Sequence, residues 1–570
     1  MLNARTIALK LEFHLFKKER ALLRGVVPAK VQANLRRRLR AKYLVWDAKE
    51  YHAWLQRRLE ERKILYNCAL EKGLLSVLTP VWEGTPLPYF RLLAESIVQQ
   101  NSSGAAEWVI LDNGCQNAKI LDFLDALKKH PWIVVRRSAT NVGIIGGLRM
   151  CLESASGRYV LPVDSDDWLY PDCLQIVTRW IHDKGFPPIL YTDEDKVIDS
   201  RAVQPYLKPD FDPVLLLNSA YIAHLGVIDR KLALEHCAYS DKSTEGSADW
   251  DLFTRFLVAG KPAVHISEVV YSWRMHPEST ADDAASKPYI HSSQKAVLQR
   301  YLDASGLSEK YDVEYSPLLK GSCDWWLHRR LVDPWPALLV SLKTGAAPAH
   351  QRLDYPAIPT LSLASTATLQ ALAELVSRGA KTPNDLICLV SDDLEVDRPD
   401  WLWEAVGLFE RYADTVMVGG HIRDSAGATK SGGYVLGFGG TCQCPDRGRS
   451  AIDPGYFTQM LKQRSVSAVT SQFAVVRAGF VGELAQHTLE ASVVMMGAWA
   501  GAYAIRTGKR VIYSPYLRGV SNLDWDSLPQ ALEIAEFVRK NADLMPDCRY
   551  YPAELSREQG RAYRFRLRGF

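Results

Sequence analysis

The chain has 570 residues, which is too long for a single ordinary core and predicts two or three domains. Its hydrophobic content of 47% and charged content of 24% are those of a soluble globular protein, and no membrane-spanning helix is expected because no run reaches about 18 apolar residues. The net charge is only +4, but residues 1–75 carry 18 Lys or Arg against 7 Asp or Glu. The basic excess is therefore local and indicates a docking surface.

Residues 1–72 are predicted to be helical, because "EFHLFKKERALL" and "WLQRRLEERKILYNCAL" carry apolar residues at three- and four-residue spacing. One interpretation is a helical collar packed on the next domain. The other is a helix on an anionic membrane face, where each Lys or Arg contributes about 1 kcal/mol. The N-terminus lacks the long apolar core of a signal peptide. Ten scattered cysteines, with only Cys442 and Cys444 close together, favour free thiols in a reducing cytoplasm.

Short apolar runs and helix-patterned stretches alternate from Gly73 onward, which predicts parallel βαβ units. In chain order the predicted strands are "LLSVLTPVW", "EWVILDNG", "WIVVRRS" and "RYVLPVDSDD", and the helices between them are "PYFRLLAESIVQQ", "NAKILDFLDALKKH" and "GIIGGLRMCLESAS". Ligands bind such sheets beyond the carboxyl ends of the strands. Thr79-Pro80, Asp112 and residues 164–167 are therefore expected to face one crevice.

Three aspartates, Asp164, Asp166 and Asp167, follow the fourth predicted strand. Carboxylates this close repel one another and raise one another's pKa, unless a divalent cation lies among them. The alternative is that Asp166 or Asp167 is the N-cap of a helix in "WLYPDCLQIVTRW". A cap needs one aspartate whereas three are present, so the pattern favours a metal site.

Two later stretches add charged residues to this crevice. Asp249 and Asp251 open a helix; they point in different directions, so one can cap the helix while the other faces the cleft. The strand in "HISEVVYSWRMHPEST" ends in Arg274 and His276, which alternate on one face. That pair could neutralise a diphosphate and complete a metal shell.

In this order, the pieces "SVLTPVWE", "VILDNG", "NVGIIGGLRMCLESASGRYVLPVDSDDWLYPD", "ILYTDEDK", "GSADWDLFTRF" and "YSWRMHPEST" resemble the family 2 glycosyltransferases of bacterial surface polysaccharide synthesis. The resemblance covers residues 73–290. It implies the α/β GT-A fold and an inverting transfer of a sugar from a nucleoside diphosphate. Two departures, "LDNGC" and Arg149, leave the base preference and the donor open.

The resemblance also implies roles for individual residues. Those expected to bind the nucleotide-sugar are Thr79, Pro80, Glu83, Asp112, Asn141, Gly143, Asp164, Ser165 and Arg274. The expected ligands of Mg²⁺ or Mn²⁺ are Asp166, Asp164 and His276. Asp249 matches the catalytic base. The acceptor side is expected at Asp167, Asp193, Glu194 and Trp250.

Residues 336–522 also resemble family 2 sequences and predict a second, shortened GT-A domain. Only about forty residues precede its Asp392-Asp393, so most of a nucleoside-binding segment is missing. No Asp or Glu occurs between Glu490 and Asp524, where the base would fall near Gly497. We therefore expect a non-catalytic domain that braces the first, binds acceptor glycan or mediates dimerisation.

The predicted organisation is a basic helical segment, a catalytic domain, a helical linker, a non-catalytic domain and a basic tail, at 1–72, 73–300, 301–335, 336–545 and 546–570. The expected enzyme uses a UDP- or dTDP-sugar and a glycan or lipid-linked acceptor, in the cytoplasm or peripherally at the inner membrane. The alternatives are a glycosyltransferase acting on a flagellin or adhesin, and a non-catalytic scaffold of polysaccharide assembly. The tail is expected to strap the surface or contact lipid-linked acceptor or membrane. Nucleic-acid binding is not expected, because the basic segment lacks aromatic stacking platforms.

Overall fold

The computed structural model describes residues 48–198, 200–275, 289–319, 324–349, 352–488 and 490–566. Within these residues the chain forms two compact units. The first unit comprises 48–309 and 313–326, and the second comprises 310–312 and 327–566. Each unit has its own buried apolar core.

Helix α1 (Ala48–Leu65) is the described part of the predicted N-terminal helical segment; residues 1–47 lie outside the described residues. Its Arg62 is only 1% exposed. The guanidinium donates from Nε to Asp172 at 2.8 Å and from Nη1 to the carbonyl of Val269 at 2.8 Å. Helix α1 therefore packs on the first unit as a collar, and this arginine is not available to a membrane surface.

The first unit is built on one nine-stranded sheet. Its strands are β1 (Leu75–Val81), β2 (Glu107–Asn113), β3 (Ile133–Ser138), β4 (Tyr159–Pro162), β5 (Trp168–Leu169), β6 (Ile189–Ile198), β7 (Arg201–Tyr206), β8 (Gly226–Asp229) and β9 (Val264–Arg274). They lie in the order β3-β2-β1-β4-β8-β6-β9-β5, and β7 pairs with β6. The predicted α/β architecture is confirmed.

Helices connect and cover these strands. They are α2 (Leu87–Gln100), α3 (Ala118–Leu127), α4 (Gly143–Ser154), α5 (Cys173–Asp183), α6 (Pro213–Leu216), α7 (Arg230–Glu235), α8 (Ala248–Val258) and α9 (Tyr289–Ala304), with a short 3₁₀ turn at Lys242–Thr244. Helix α2 shows why they form: Phe90, Leu93 and Ile97 recur at three- and four-residue spacing and are all buried. None of the helices in the described residues is long and apolar enough to cross a bilayer.

The strands that precede the candidate site are parallel. Strand β1 pairs in parallel with both β2 and β4, with Val81 opposite Asp112 and Leu78 opposite Pro162. Their carboxyl ends therefore meet at one edge of the sheet, as the sequence predicts. Strand β9 runs parallel to β6, and β5 returns antiparallel to β9.

The second unit also has a nine-stranded sheet. Two short strands, β10 (Tyr311–Tyr315) and β11 (Trp325–Arg329), precede it. Its strands are β12 (Ala337–Lys343), β13 (Thr360–Ala364), β14 (Leu386–Ser391), β15 (Glu395–Val396), β16 (Thr415–Arg423), β17 (Thr429–Ser431), β20 (Arg464–Val466), β21 (Phe473–Arg477) and β22 (Arg510–Val520), with β18 (Val435–Leu436) and β19 (Cys442–Gln443) as a separate pair. Its helices are α10 (Leu369–Gly379), α11 (Trp401–Arg411), α12 (Ala478–His487), α13 (Met496–Arg506) and α14 (Ala531–Lys540), with 3₁₀ turns at Phe438–Gly440, Tyr456–Leu461, Val493–Met495 and Trp525–Ser527.

The two sheets share one topology. The second runs β13-β12-β14-β21-β16-β22-β15, with β17 on β16. Taken in this order, the seven strands correspond to β2, β1, β4, β8, β6, β9 and β5, and β17 corresponds to β7. Neighbouring strands are parallel or antiparallel as their counterparts are in the first sheet. Strand β3 has no counterpart in the second sheet, and β20, which pairs antiparallel with β22, has none in the first. The missing edge strand agrees with the shortened segment before Asp392-Asp393 in the sequence.

Candidate active site

The acidic loop, residues 163–167, connects β4 to β5 at the carboxyl edge of the first sheet. Asp164 is exposed, Asp166 is partly buried, and Asp167 is 1% exposed. The backbone N–H of Asp167 donates to the carbonyl of Asp164 at 3.3 Å, which closes a tight turn. Three carboxylates of different exposure therefore share one turn.

Strand β9 holds the acidic loop in place. One carboxylate oxygen of Asp167 accepts the backbone N–H of Arg274 at 2.8 Å, and the other accepts the hydroxyl of Tyr271. The Nε of Arg274 donates to the carbonyl of Asp166 at 2.8 Å. Burial, followed by the charges of Asp164 and Asp166, raises the pKa of Asp167.

The alternative that Asp166 or Asp167 caps a helix is wrong. Helix α5 begins at Cys173, and its N-cap residue is Asp172. Asp172 instead accepts the guanidinium hydrogen bonds of Arg62. The acidic loop therefore lies ahead of the helix and is not part of its cap.

His224 joins the acidic loop. In the part of the chain that the structure describes, one oxygen each of Asp164 and Asp167 and one ring nitrogen of His224 lie within 4.8 Å of one another. The His224 ring stacks on Tyr271, with centroids 4.7 Å apart and 8° between the planes, and meets the edge of Trp273 at 5.6 Å. We call Asp164, Asp167 and His224 the carboxylate–histidine cluster.

This donor set suits a divalent cation. Carboxylate oxygens are the ligands that Mg²⁺ and Mn²⁺ prefer, and a cation would offset the repulsion that raises the pKa of Asp167. Of the predicted ligands, Asp164 belongs to the cluster, Asp166 is adjacent in the chain but not a member, and His276 lies outside the described residues. His224 is not predicted from the sequence, because a lone histidine in a loop carries no pattern.

Asp249 lies in the first turn of α8, and the charge of His224, a member of the cluster, acts on it. Burial raises its pKa, and the charge of His224 opposes that shift. Burial, followed by the charges of Asp249 and Asp164, raises the pKa of Tyr239, which is 4% exposed. The charges of Asp249 and Asp164 therefore both act on the same buried tyrosine.

The other α8 residues have structural contacts. Asp251 accepts the Nε of Arg255 at 2.9 Å and forms an ion pair with Arg300 of α9. Trp250, expected on the acceptor side, is 1% exposed, and its indole N–H donates to the carbonyl of Leu216 at 2.7 Å. Both side chains anchor α8, which leaves Asp249 as the carboxylate of this turn near the cluster.

Two more of the expected acceptor-side residues, Asp193 and Glu194, lie on β6 and are also engaged; the fourth, Asp167, lies in the acidic loop. Asp193 accepts the backbone N–H of Lys208 at 2.7 Å and contacts Nε2 of His265 at 2.8 Å. Glu194 forms an ion pair with Nζ of Lys208 at 3.1 Å, and its negative charge raises the pKa of Asp249. Asp193 is therefore a buried link within the unit, whereas Glu194 contributes to the field at the site.

Asn141 and Gly143 shape the turn into α4. The Oδ1 of Asn141 accepts Nδ2–H of Asn113 at 3.1 Å and the backbone N–H of Gly143 at 2.9 Å. Gly143 has a φ of +81°, which favours glycine. The carboxylate of Glu245 accepts the N–H of Ile144 at 2.6 Å and so satisfies a free donor of the first helical turn.

Asp112, Thr79 and Pro80 lie at the ends of β2 and β1. The Asp112 carboxylate accepts the N–H of Cys115 at 2.9 Å and lies 3.3 Å from Nε of Arg137, so it closes the turn after β2. Thr79 is fully buried, and its hydroxyl accepts the indole N–H of Trp108 at 3.0 Å. The Thr79 side chain therefore packs in the core, and Asp112 and Pro80 stay the predicted nucleoside contacts.

The remaining predicted donor residues, Glu83, Ser165 and Arg274, surround the acidic loop or the turn after β2. Glu83 accepts the backbone N–H of Gln116 at 2.7 Å. Ser165 and Thr85 hydroxyls are 3.2 Å apart. The Arg274 guanidinium lies over the ring of Tyr89 at 4.7 Å, and burial lowers the pKa of this arginine.

Residues 76–208 match the model of the family described as "Glycosyl transferase family 2". This segment is a family 2 glycosyltransferase domain. It contains the acidic loop, Asp112 and the turn into α4. His224 and Asp249 follow it in the chain, within the same compact unit.

Longer similarities extend beyond the family 2 domain. The protein y4gI of Sinorhizobium fredii is 27% identical over 447 residues, which are 72% of this chain and 48% of that protein. The O-antigen biosynthesis protein RfbC of Myxococcus xanthus is 22% identical over 427 residues, covering 69% of this chain and 33% of RfbC. The chain thus spans half or less of these curated relatives. Among solved structures, residues 1–349 of S. aureus TarS are 19% identical with a TM-score of 0.32, covering 40% of this chain and 71% of that one.

The second unit does not reproduce the site of the family 2 domain. Asp392, after β14, accepts both the N–H and the hydroxyl of Thr344, at 3.1 and 2.7 Å. Asp393 accepts the hydroxyl of Ser521 at 2.5 Å. The group of potential metal ligands found among the described residues lies in the first unit. Helix α13, in place of α8, buries Gly497 against the backbone of Val469.

Proposed function

We propose that the first unit is an inverting, metal-dependent glycosyltransferase. It transfers a sugar from a UDP- or dTDP-sugar to a hydroxyl of a bacterial surface glycan. The observation that carries this proposal is the carboxylate–histidine cluster beside Asp249, at the carboxyl edge of a family 2 domain. The similarity to an O-antigen biosynthesis protein supports a surface glycan as the acceptor.

In the proposed reaction Asp249 accepts the proton of the acceptor hydroxyl. The hydroxyl oxygen then attacks the anomeric carbon from the face opposite the leaving group, and the bond to the diphosphate breaks with its electron pair on the phosphate oxygen. This single displacement inverts the anomeric centre. Because burial raises the pKa of Asp249, its carboxylate is a stronger base than an exposed aspartate.

Asp164 and His224, together with Asp166 or Asp167 and with His276, would hold Mg²⁺ or Mn²⁺. Such a cation stabilises the negative charge that develops on the leaving diphosphate. Arg274, fixed over Tyr89 beside the acidic loop, adds a positive charge at the same edge. Asp112 and the turn at Asn141 and Gly143 would hold the nucleoside.

The decisive experiment is a donor screen with the purified full-length chain. Release of nucleoside diphosphate is measured with UDP- and dTDP-sugars, in Mn²⁺ or Mg²⁺ and in EDTA. Metal-dependent turnover with at least one donor supports the proposal. No turnover with any donor contradicts it and favours a scaffold of a polysaccharide assembly complex.

A second assay separates the acceptors. The active donor is incubated with extracted surface glycans or lipid-linked glycans, and in parallel with flagellin or adhesin protein. Transfer to the glycan supports the proposal, whereas transfer to protein alone identifies a protein glycosyltransferase. Flotation with anionic vesicles tests the proposed peripheral association with the cytoplasmic face of the inner membrane, and sedimentation tests a homodimer.

A further inference from the structure

A polar pocket lies within the second unit, between a glycine-rich turn and the C-terminal tail. It is an open depression of about 660 Å³. The residues that line it are Gly437, Gly439, Gly440, Gln443, Ser556, Arg557, Glu558, Gln559 and Arg566. We call it the tail pocket.

The lining of the tail pocket indicates a hydrogen-bonding ligand. It presents amides, a hydroxyl, a carboxylate and two guanidinium groups, and no apolar or aromatic side chain. Pockets for nucleobases or lipids are lined by apolar and aromatic groups, so these ligands do not fit. A saccharide, which is covered with hydroxyl groups, matches both the polarity and the volume.

Two arginines and one glutamate line the tail pocket, so its side chains carry a net positive charge. Arg557 and Arg566 form no ion pair with a carboxylate in the described residues; each binds neutral backbone carbonyls instead. The carboxylate in the lining, Glu558, lies 3.8 Å from Arg561. Burial, followed by the charge of Arg566, lowers the pKa of Arg557. An anionic group bound by Arg566 would offset this repulsion.

The tail pocket is also firmly built. Arg557 Nη1 donates to the carbonyl of Leu436 at 2.8 Å, and the Arg557 carbonyl accepts the N–H of Gly439 at 2.7 Å. Gly437 has a φ of +75°, and a side chain there would overlap the carbonyl of Met545. The Nε of Arg557 is buried and has no hydrogen-bond partner among the described residues. Its Nη1 and Nη2 each donate to two backbone carbonyls, so Arg557 holds the wall of the pocket in place and the pocket is pre-formed.

We propose that the tail pocket binds an acidic saccharide, with Arg566 holding its carboxylate or phosphate group, the charge of Arg557 adding to the attraction, and the neighbouring amides holding its hydroxyls. This site is separate from the carboxylate–histidine cluster and does not depend on transfer activity. In a protein that elongates a glycan, it would give the second unit a role in holding an acidic chain.

The test is isothermal titration of the full-length protein with D-glucuronate, glucose 6-phosphate, glucose, inorganic phosphate and UDP. Both acidic sugars are expected to bind in the millimolar range or tighter, at least about tenfold more tightly than glucose or phosphate. The Arg566→Gln variant should lower this affinity about tenfold. The matched control is Arg549→Gln, which removes an equal charge from the tail outside the pocket.

Three results would overturn the proposal. Equal affinity for phosphate and the acidic sugars would reduce the pocket to a simple oxyanion site, and tighter binding of UDP would make it a nucleotide site. An equal loss in Arg549→Gln would reduce the effect to the overall charge of the tail. Absence of binding by both acidic sugars would also overturn it. Gln443→Ala, which leaves Arg557 and its backbone contacts in place, keeps the test valid if an arginine variant fails to fold.

Discussion

Tyr271 donates its hydroxyl hydrogen to the carboxylate of Asp167, and this bond ties β9 to the acidic loop. The same Tyr271 ring stacks on His224. One side chain therefore positions two members of the carboxylate–histidine cluster. Asp167 uses both carboxylate oxygens within the protein, whereas the carboxylate of the partly buried Asp166 lies in the same turn outside the cluster.

This difference makes the choice of metal ligand testable. We expect Asp166→Ala to abolish the metal-dependent part of nucleotide-sugar binding, because the predicted ligand set contains Asp166. Titration of the active donor in Mn²⁺ and in EDTA measures it, and Asp183→Ala on the exposed end of α5 is the control. If Asp166→Ala binds normally while His224→Ala does not, the ligand set is the carboxylate–histidine cluster and the Asp166 assignment is wrong.

Asp249→Asn should keep donor binding and lose transfer. Asparagine preserves the shape of the side chain but cannot accept the proton of the acceptor hydroxyl, a function that contributes roughly 10²–10⁴-fold to the rate. Donor affinity by titration and kcat for transfer are measured on the same preparation. Near-normal turnover would remove Asp249 from the role of base.

Much of the first unit follows from local pattern. The runs that end at Val81, Asn113 and Ser138 are strands because each contains consecutive apolar residues, and their ends meet because parallel strands share an edge. Contacts between residues that are far apart in the chain do not follow from the local pattern. His224 meets Asp167 through a loop with no periodicity, and Thr79 lies in the core because of Trp108 on a neighbouring strand.

The second unit also contains contacts between distant residues that the sequence does not predict. The apolar stretch around Gly497 predicts packing, and α13 is buried there. The sequence does not indicate that Asp392 is held by Thr344 or that Asp393 is held by Ser521, since these partners lie 48 and 128 residues away. The tail pocket also depends on a fold that brings Arg557 against Leu436.

Asp393→Ala should leave transfer activity largely intact. Its carboxylate accepts the Ser521 hydroxyl within the second unit, where the described residues contain no cluster of metal ligands. The transfer rate is compared with wild type, and circular dichroism verifies that the variant is folded. A collapse of activity in a folded variant would show that the second unit contributes to catalysis.

Asp195 should give the first unit a distinctive pH dependence of stability. It is fully buried and accepts hydrogen bonds from Tyr51 at 2.5 Å and Tyr170 at 2.6 Å, and burial raises its pKa to about 6. Ser272 also donates to it, and the charge of Glu194 raises the pKa further. The folded protein therefore binds this proton more tightly than the unfolded chain.

The contribution of protonated Asp195 is fully present below about pH 4 and falls as the pH rises to about 6, by up to about 3 kcal/mol. Asp195→Asn has no such titration. We expect the difference in the free energy of unfolding, wild type minus Asp195→Asn, to fall between these pH values and stay constant above them. Urea unfolding at several pH values measures it, and a difference that does not change with pH would contradict the pKa shift.

Arg62 of α1 should be essential for the stability of the first unit. Its buried guanidinium donates to Asp172 and to the carbonyl of Val269, so Arg62→Ala leaves the Asp172 carboxylate and a backbone acceptor without this partner. Removing one member of a buried ion pair costs about 3–5 kcal/mol. Arg57→Ala, on the exposed face of the same helix, removes an equal charge and should cost less than about 0.5 kcal/mol. Urea unfolding of the full-length chain compares them, and equal stability of the two variants would show that α1 is not anchored through Arg62.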